Sequence, residues 1–180
     1  MTYGGEFGRS LLIPVTVKHK IFVSYHHSGD QAYYDAFSNA FHDTYDVIYD
    51  NSLARQVDSD DAEYVMRSIR ENYITGSSCT IVLAGGKTWG RKFVDWEIKA
   101  TLDKEHGLIG VRLPTAPISA NNTITVPDRL YDNIQSGYAL WLTWQEITAS
   151  ADQLERFVAD AKSRSTKLIV NTRERRLRNP

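Results

Sequence analysis

A chain of 180 residues with 42% apolar and 24% charged side chains is long enough for one domain with a sizeable core and a short extension. Its formal net charge of -1 gives no electrostatic reason to expect nucleic acid or an anionic membrane as a partner, and its single cysteine, Cys79, excludes an intrachain disulfide. No apolar stretch approaches the roughly 18 residues of a spanning helix, and Met1 to Ser10 lacks the layout of a signal peptide, so the expected location is the cytoplasm.

Residues 1–17 read as an irregular N-terminal extension, because Gly4, Gly5, Gly8 and Pro14 interrupt any long element. The domain proper is expected over 18–171. It opens with Lys20-Ile21-Phe22-Val23-Ser24-Tyr25, a β-rich run of the kind found in strands covered on both faces. A polar turn, His26 to Asp30, follows, with Asp30 expected to cap a helix whose buried stripe is Tyr33, Ala36, Phe37, Ala40 and Phe41. Val47 to Tyr49 predicts a second strand, and Asp50 to Ser59 a polar loop. Asp60 and Glu63 fit a capping box for a helix that buries Ala62, Val65, Met66, Ile69 and Tyr73 and stops at Gly76.

Thr80 to Ala84 predicts the third strand, and Leu108 to Leu113 the fourth. Residues 114–127 read as a loop, after which Pro127 starts a short helical turn through Leu130 and Ile134. Ala139 to Trp144 predicts the fifth strand. Ser150 and Gln153 then open a helix with Leu154, Phe157, Val158 and Ala161 on one face, and Lys167 to Val170 suggests a final strand. Residues 172–180, with Arg173, Arg175, Arg176 and Arg178, read as a solvated, mobile basic tail. Repeated strand–helix alternation predicts a flavodoxin-like α/β sandwich, a parallel sheet of about five strands with helices on both faces. Ligands in such sheets bind beyond the carboxyl ends of the strands, here Ser24 to Gly29 and Ala84 to Trp89.

Several familiar chemistries fail on spacing. Gly85-Gly86-Lys87-Thr88 lacks the earlier glycine of a phosphate loop, since that position is Ile81. Adjacent His26 and His27 have no Cys or His at metal-ligand spacing, so no metal is expected, although one of the pair is expected to line a pocket. The unusual residue is Glu97. It lies in a predicted helix, Gly90 to Leu102, on the shoulder of a stripe of Val94, Ile98, Thr101 and Leu102, flanked by Phe93 and Trp96. Carboxylates in apolar surroundings are either paired or employed, whereas shoulder glutamates otherwise turn to water.

Ile21-Phe22-Val23-Ser24-Tyr25 and Phe93-Val94-Asp95-Trp96-Glu97 together resemble the first-strand box and the Trp-x-x-x-Glu helix start of TIR domains, with Phe93 where the tryptophan usually stands. The resemblance spans about residues 19–162 and is closest to the bacterial TIR-like proteins of Thoeris antiphage defence, the ThsB type. It implies cleavage of the nicotinamide–ribose bond of NAD, used as substrate with no cofactor, to make an ADP-ribose-derived signal for a separate effector. It also implies self-association. Glu97 takes the catalytic role by matching the motif, and Ser24, Tyr25, His26, Trp89 and Phe93 fall where the nucleotide is contacted. Many TIR domains are non-catalytic scaffolds, and that alternative stays open at this level.

Overall fold

The protein is described by a computed structural model over residues 19–48, 62–121 and 123–180. Its strands are β1 (His19–Ser24), β2 (Tyr45–Ile48), β3 (Ser77–Ala84), β4 (Gly107–Arg112) and β5 (Leu140–Thr143), all parallel in the order β2-β1-β3-β4-β5. The helices are α1 (His27–Phe41), α2 (Ala62–Ser68), α3 (Lys92–Asp103), α4 (Asp128–Gln135), α5 (Trp144–Ile147) and α6 (Ala151–Ser163), with α2 widening into π-helical turns over Ile69–Ile74. This is the expected flavodoxin-like layout. The expected loop at 50–59 and the Asp60 half of the capping box lie outside the described residues.

Strand geometry sends successive side chains to opposite faces, and both faces here are covered. Ile21, Val23, Ile81, Leu83, Ile109 and Val111 pack on α1 and α6 through Phe37, Leu154 and Val158. Val82, Ala84 and Leu108 pack on α3 and α4 through Val94, Ile98 and Leu130, while Phe22 meets Val65, Ile69 and Trp96. Burial pushes the Cys79 thiol up to about 12, so it serves as a small apolar core residue. Because α1 and α3 follow neighbouring strands yet cover opposite faces, a crevice opens between the carboxyl ends of β1 and β3.

Several expectations need correction. Asp30 does not cap α1; it lies inside the first turn, 2% exposed, and the cap position is His26, whose side chain makes no capping bond. The buried stripe of α1 is Asp30, Tyr34, Phe37 and Phe41, while Ala36 and Ala40 face solvent. Asp30 instead accepts from Thr88 Oγ1 at 2.9 Å and Thr115 Oγ1 at 3.4 Å, tying together the loops that follow β1, β3 and β4. Burial raises its carboxyl above the ordinary range, and the bonds from Thr88 and Thr115 partly offset that shift. A Cβ at Gly85 would lie 2.0 Å from Asp30 Oδ1, so any larger residue there must displace the Asp30 carboxylate.

β5 stops at Thr143, where a reciprocal capping box with Glu146 starts α5 and carries Trp144 out of the strand. No sixth strand forms at Lys167 to Val170. The Asn133 side chain takes the place of a neighbouring strand, donating to the Val170 carbonyl at 2.7 Å and accepting its N–H at 3.0 Å.

The basic tail is packed down rather than loose. Arg129, fully buried on α4, donates to Asp95 Oδ1 at 2.9 Å, to Asn171 Oδ1 at 2.7 Å, and to the Arg173 and Glu174 carbonyls at 3.0 Å each. Asp95 also accepts the Arg176 N–H at 2.9 Å, and Trp96 Nε1 donates to the Arg176 carbonyl at 2.8 Å. Buried donors require acceptors, and the backbone of the tail supplies them. The tail thereby covers α3, eight of whose twelve residues are buried, far more than one apolar stripe would bury.

Candidate active site

The cleft at the carboxyl ends of β1 and β3 encloses about 280 Å³. β1 and the turn after it contribute Val23, Tyr25, His26, His27 and Ser28; the start of α3 contributes Arg91, Phe93, Val94 and Glu97; and the tail contributes Asn179. Glu97 is 6% exposed, and its Oε2 accepts a hydrogen bond from Ser24 Oγ at 2.5 Å. That length is typical of a hydroxyl donating to a carboxylate. One turn further along α3, Thr101 Oγ1 donates to the Glu97 carbonyl at 2.8 Å and meets Thr80 Oγ1 of β3 at 2.7 Å. Glu97 is therefore fixed from both sides: its carboxylate by the end of β1, its backbone by a hydroxyl pair anchored on the central strand.

Tyr25 stacks on Tyr34 with ring centroids 4.9 Å apart, and its hydroxyl donates to Gln31 Oε1 at 2.9 Å. His27 packs against Tyr25 at 4.4 Å. His26 Nε2 lies 2.8 Å from Ser28 Oγ. Its pKa is depressed below the ordinary 6.5, first by burial and then by the charges of Arg91, Lys87 and His27, which favours the neutral ring. Both histidines line the cleft, although adjacency suggested that only one would. His26 is extended while His27 already begins α1, and that change of backbone conformation turns both rings to the same side.

The cleft gathers Tyr25, His26, Phe93 and Glu97, and Ser24 reaches it through Glu97. Trp89 is excluded from this group. Its neighbour Thr88 is the residue that turns inward to Asp30, leaving Trp89 37% exposed in a separate cleft with Asp95, Pro127 and Arg176. A stacking role for Trp89 on a ligand beside Glu97 is therefore not supported by this geometry. Phe93 forms one wall and meets Trp96 edge-on at 5.7 Å, while Trp96 faces the core beside Phe22 and Ala100. Arg91 and His27 lay within stretches that the sequence already marked; Asn179 had no local signal. Among the described residues no group of three or more His, Cys, Asp or Glu side chains could hold a metal ion, and no helix is long and apolar enough to cross a membrane.

The sequence model of the Thoeris protein ThsB, TIR-like domain, matches residues 22–118, and this span, more than half of the chain, shows that the chain belongs to that family. Every residue of the cleft except Asn179 falls inside it. No curated protein matches. Among solved structures, the TIR domains of the activated Roq1 resistosome directly recognizing the pathogen effector XopQ are similar at 14% identity and a TM-score of 0.39. The likeness covers 54% of this chain and 58% of that one, less than two thirds of its length, and is too distant to bear on activity or partners.

Proposed function

We propose that this ThsB-type TIR-like protein cleaves the nicotinamide–ribose bond of NAD and releases an ADP-ribose-derived signal in antiphage defence. The observation that supports this reading best is the buried Glu97 carboxylate at an open cleft, held by Ser24. In NAD the leaving group is a cationic pyridinium, so no acid is needed to protonate it. The bond between the ribose anomeric carbon and the ring nitrogen breaks, and its electron pair leaves with neutral nicotinamide. Positive charge develops on the ribose, which Glu97 faces as a carboxylate while holding the ribose hydroxyls. Burial strengthens that interaction by lowering the local dielectric. Water then adds to the anomeric carbon and loses a proton, giving ADP-ribose, or a ring nitrogen of the adenine adds instead and closes a cyclic product.

The size of the cleft suits this division of labour. About 280 Å³ falls just short of the roughly 300–1,000 Å³ of small-molecule sites, a size for part of a dinucleotide rather than the whole. The adenosine half would extend past Arg91 and Ser28, where a neighbouring copy of the chain could complete the site. The cytoplasm, self-association and a downstream effector that reads the product belong to the same proposal. Its test is Glu97→Gln: nicotinamide release should fall to background while the melting temperature is held. Equal cleavage by a folded variant would remove Glu97 from the chemistry, and no cleavage by the folded unaltered protein would return the scaffold reading to first place.

A further inference from the structure

The tail enters the cleft as more than a covering. The local cap position of α3 is Arg91, which offers no acceptor, and the first helical N–H, that of Lys92, donates instead to Asn179 Oδ1 at 2.9 Å. A backbone N–H must meet an acceptor, so this bond fixes which end of the Asn179 amide is which. The oxygen serves the helix, and Nδ2 is left as a donor on a residue that lines the cleft together with Glu97. Pro180 secures the position from behind by packing on Gly90, where a Cβ would lie 2.4 Å from Pro180 Cγ. Upstream, the segment is rooted by the fully buried Arg129 through the Arg173 and Glu174 carbonyls. These bonds and the Lys92–Asn179 bond place the tail along one wall of the cleft.

We propose that Asn179 is a substrate-positioning residue, its Nδ2 donating to a neutral oxygen of the bound nucleotide, either a ribose hydroxyl or the carboxamide. The proposal rests on the NAD reading for its substrate class. The other polar groups of the cleft are differently disposed: Glu97 is an acceptor, Ser28 and His26 bond each other, and Arg91 is a full charge suited to anions. Alongside the ring N–H groups of His26 and His27, Asn179 adds a neutral amide donor from the tail.

The two functions of the amide separate by mutation. Asn179→Asp keeps an acceptor for the Lys92 N–H and removes the donor; Asn179→Ala removes both. The measurement is calorimetric binding of a carbocyclic NAD analogue that resists cleavage, on the full chain, with melting temperatures alongside. Loss of one hydrogen bond predicts roughly three- to tenfold weaker binding for both variants, with only Asn179→Ala melting lower. Weakening confined to Asn179→Asp would indicate charge repulsion, and weakening confined to Asn179→Ala would indicate loss of the cap; either result, or no weakening, overturns the assignment. If the unaltered protein binds the analogue and both variants weaken it, but NAD is not cleaved, the cleavage reading falls and this one stands. Failure of the unaltered protein to bind overturns both.

Discussion

Replacing Arg129 with methionine tests the packing of the tail most severely. The change keeps an apolar stem of similar reach but removes the donors to Asp95, Asn171, Arg173 and Glu174. Asp95 is 8% exposed and would be left with the Arg176 N–H as its hydrogen-bond donor. Breaking a buried pair by deleting one partner typically costs about 3–5 kcal/mol, because the other charge is left uncompensated. At roughly 2–4 °C per kcal/mol for a chain of this size, the melting temperature should fall by about 6–20 °C. Trypsin reports the local event, since Arg173, Arg175, Arg176 and Arg178 lie in the segment that would be released. Cleavage there should accelerate ahead of global unfolding. Adding Asp95→Leu should restore much of the stability, since buried pairs replaced by apolar residues are often neutral. Tail cleavage should stay fast in that double variant, because the tail carbonyls still lack their donor. A loss under about 1 kcal/mol with unchanged tail cleavage would refute the latch.

Three further outcomes follow from the geometry. Gly85→Ala should destabilise by about 1–3 kcal/mol through collision with Asp30, and adding Asp30→Ala should recover most of the loss; additive effects in urea unfolding would disprove the collision. Ser24→Ala should cost roughly 2 kcal/mol in the same assay by stripping the donor from a buried carboxylate, and a change near zero would mean that water replaces it. His26 has a depressed pKa in the folded state, so the unfolded chain takes up its proton first as the pH falls. Its contribution is fully present above about 6.5 and is lost below that value, so His26→Gln should flatten the decline in melting temperature between pH 7 and 5. An unchanged slope would place the ring in a solvent-like setting.

The strands and helices could be read from the chain because their causes are local. Apolar, largely β-branched runs such as Ile81-Val82-Leu83 fill a sheet covered on both faces, and Gly76, at φ 92°, ends its helix where the pattern stops. Glu97 also announced itself locally, as an acid between aromatic residues. What stayed hidden is what depends on distant partners. Asp30 looked like a cap because Asp before an apolar run usually is one, and nothing nearby reveals Thr88 or Thr115 beyond later strands. The arginine-rich tail looked solvated because its anchors are backbone carbonyls, which every residue possesses; only the burial of Arg129 makes them valuable. Asn179 is 82 residues from Glu97 and has no pattern around it. Trp89 misled for the opposite reason: its position after β3 was right, but a single tight turn decided which way it faced.

The most direct test of the central claim is nicotinamide release from NAD by concentrated protein, with and without lysate from phage-infected cells, with Glu97→Gln alongside. The account predicts release in at least one of those conditions from the unaltered protein and none from the variant, with mass spectrometry identifying an ADP-ribose-derived product. Equal release from both proteins, or none from folded protein in either condition, would contradict it.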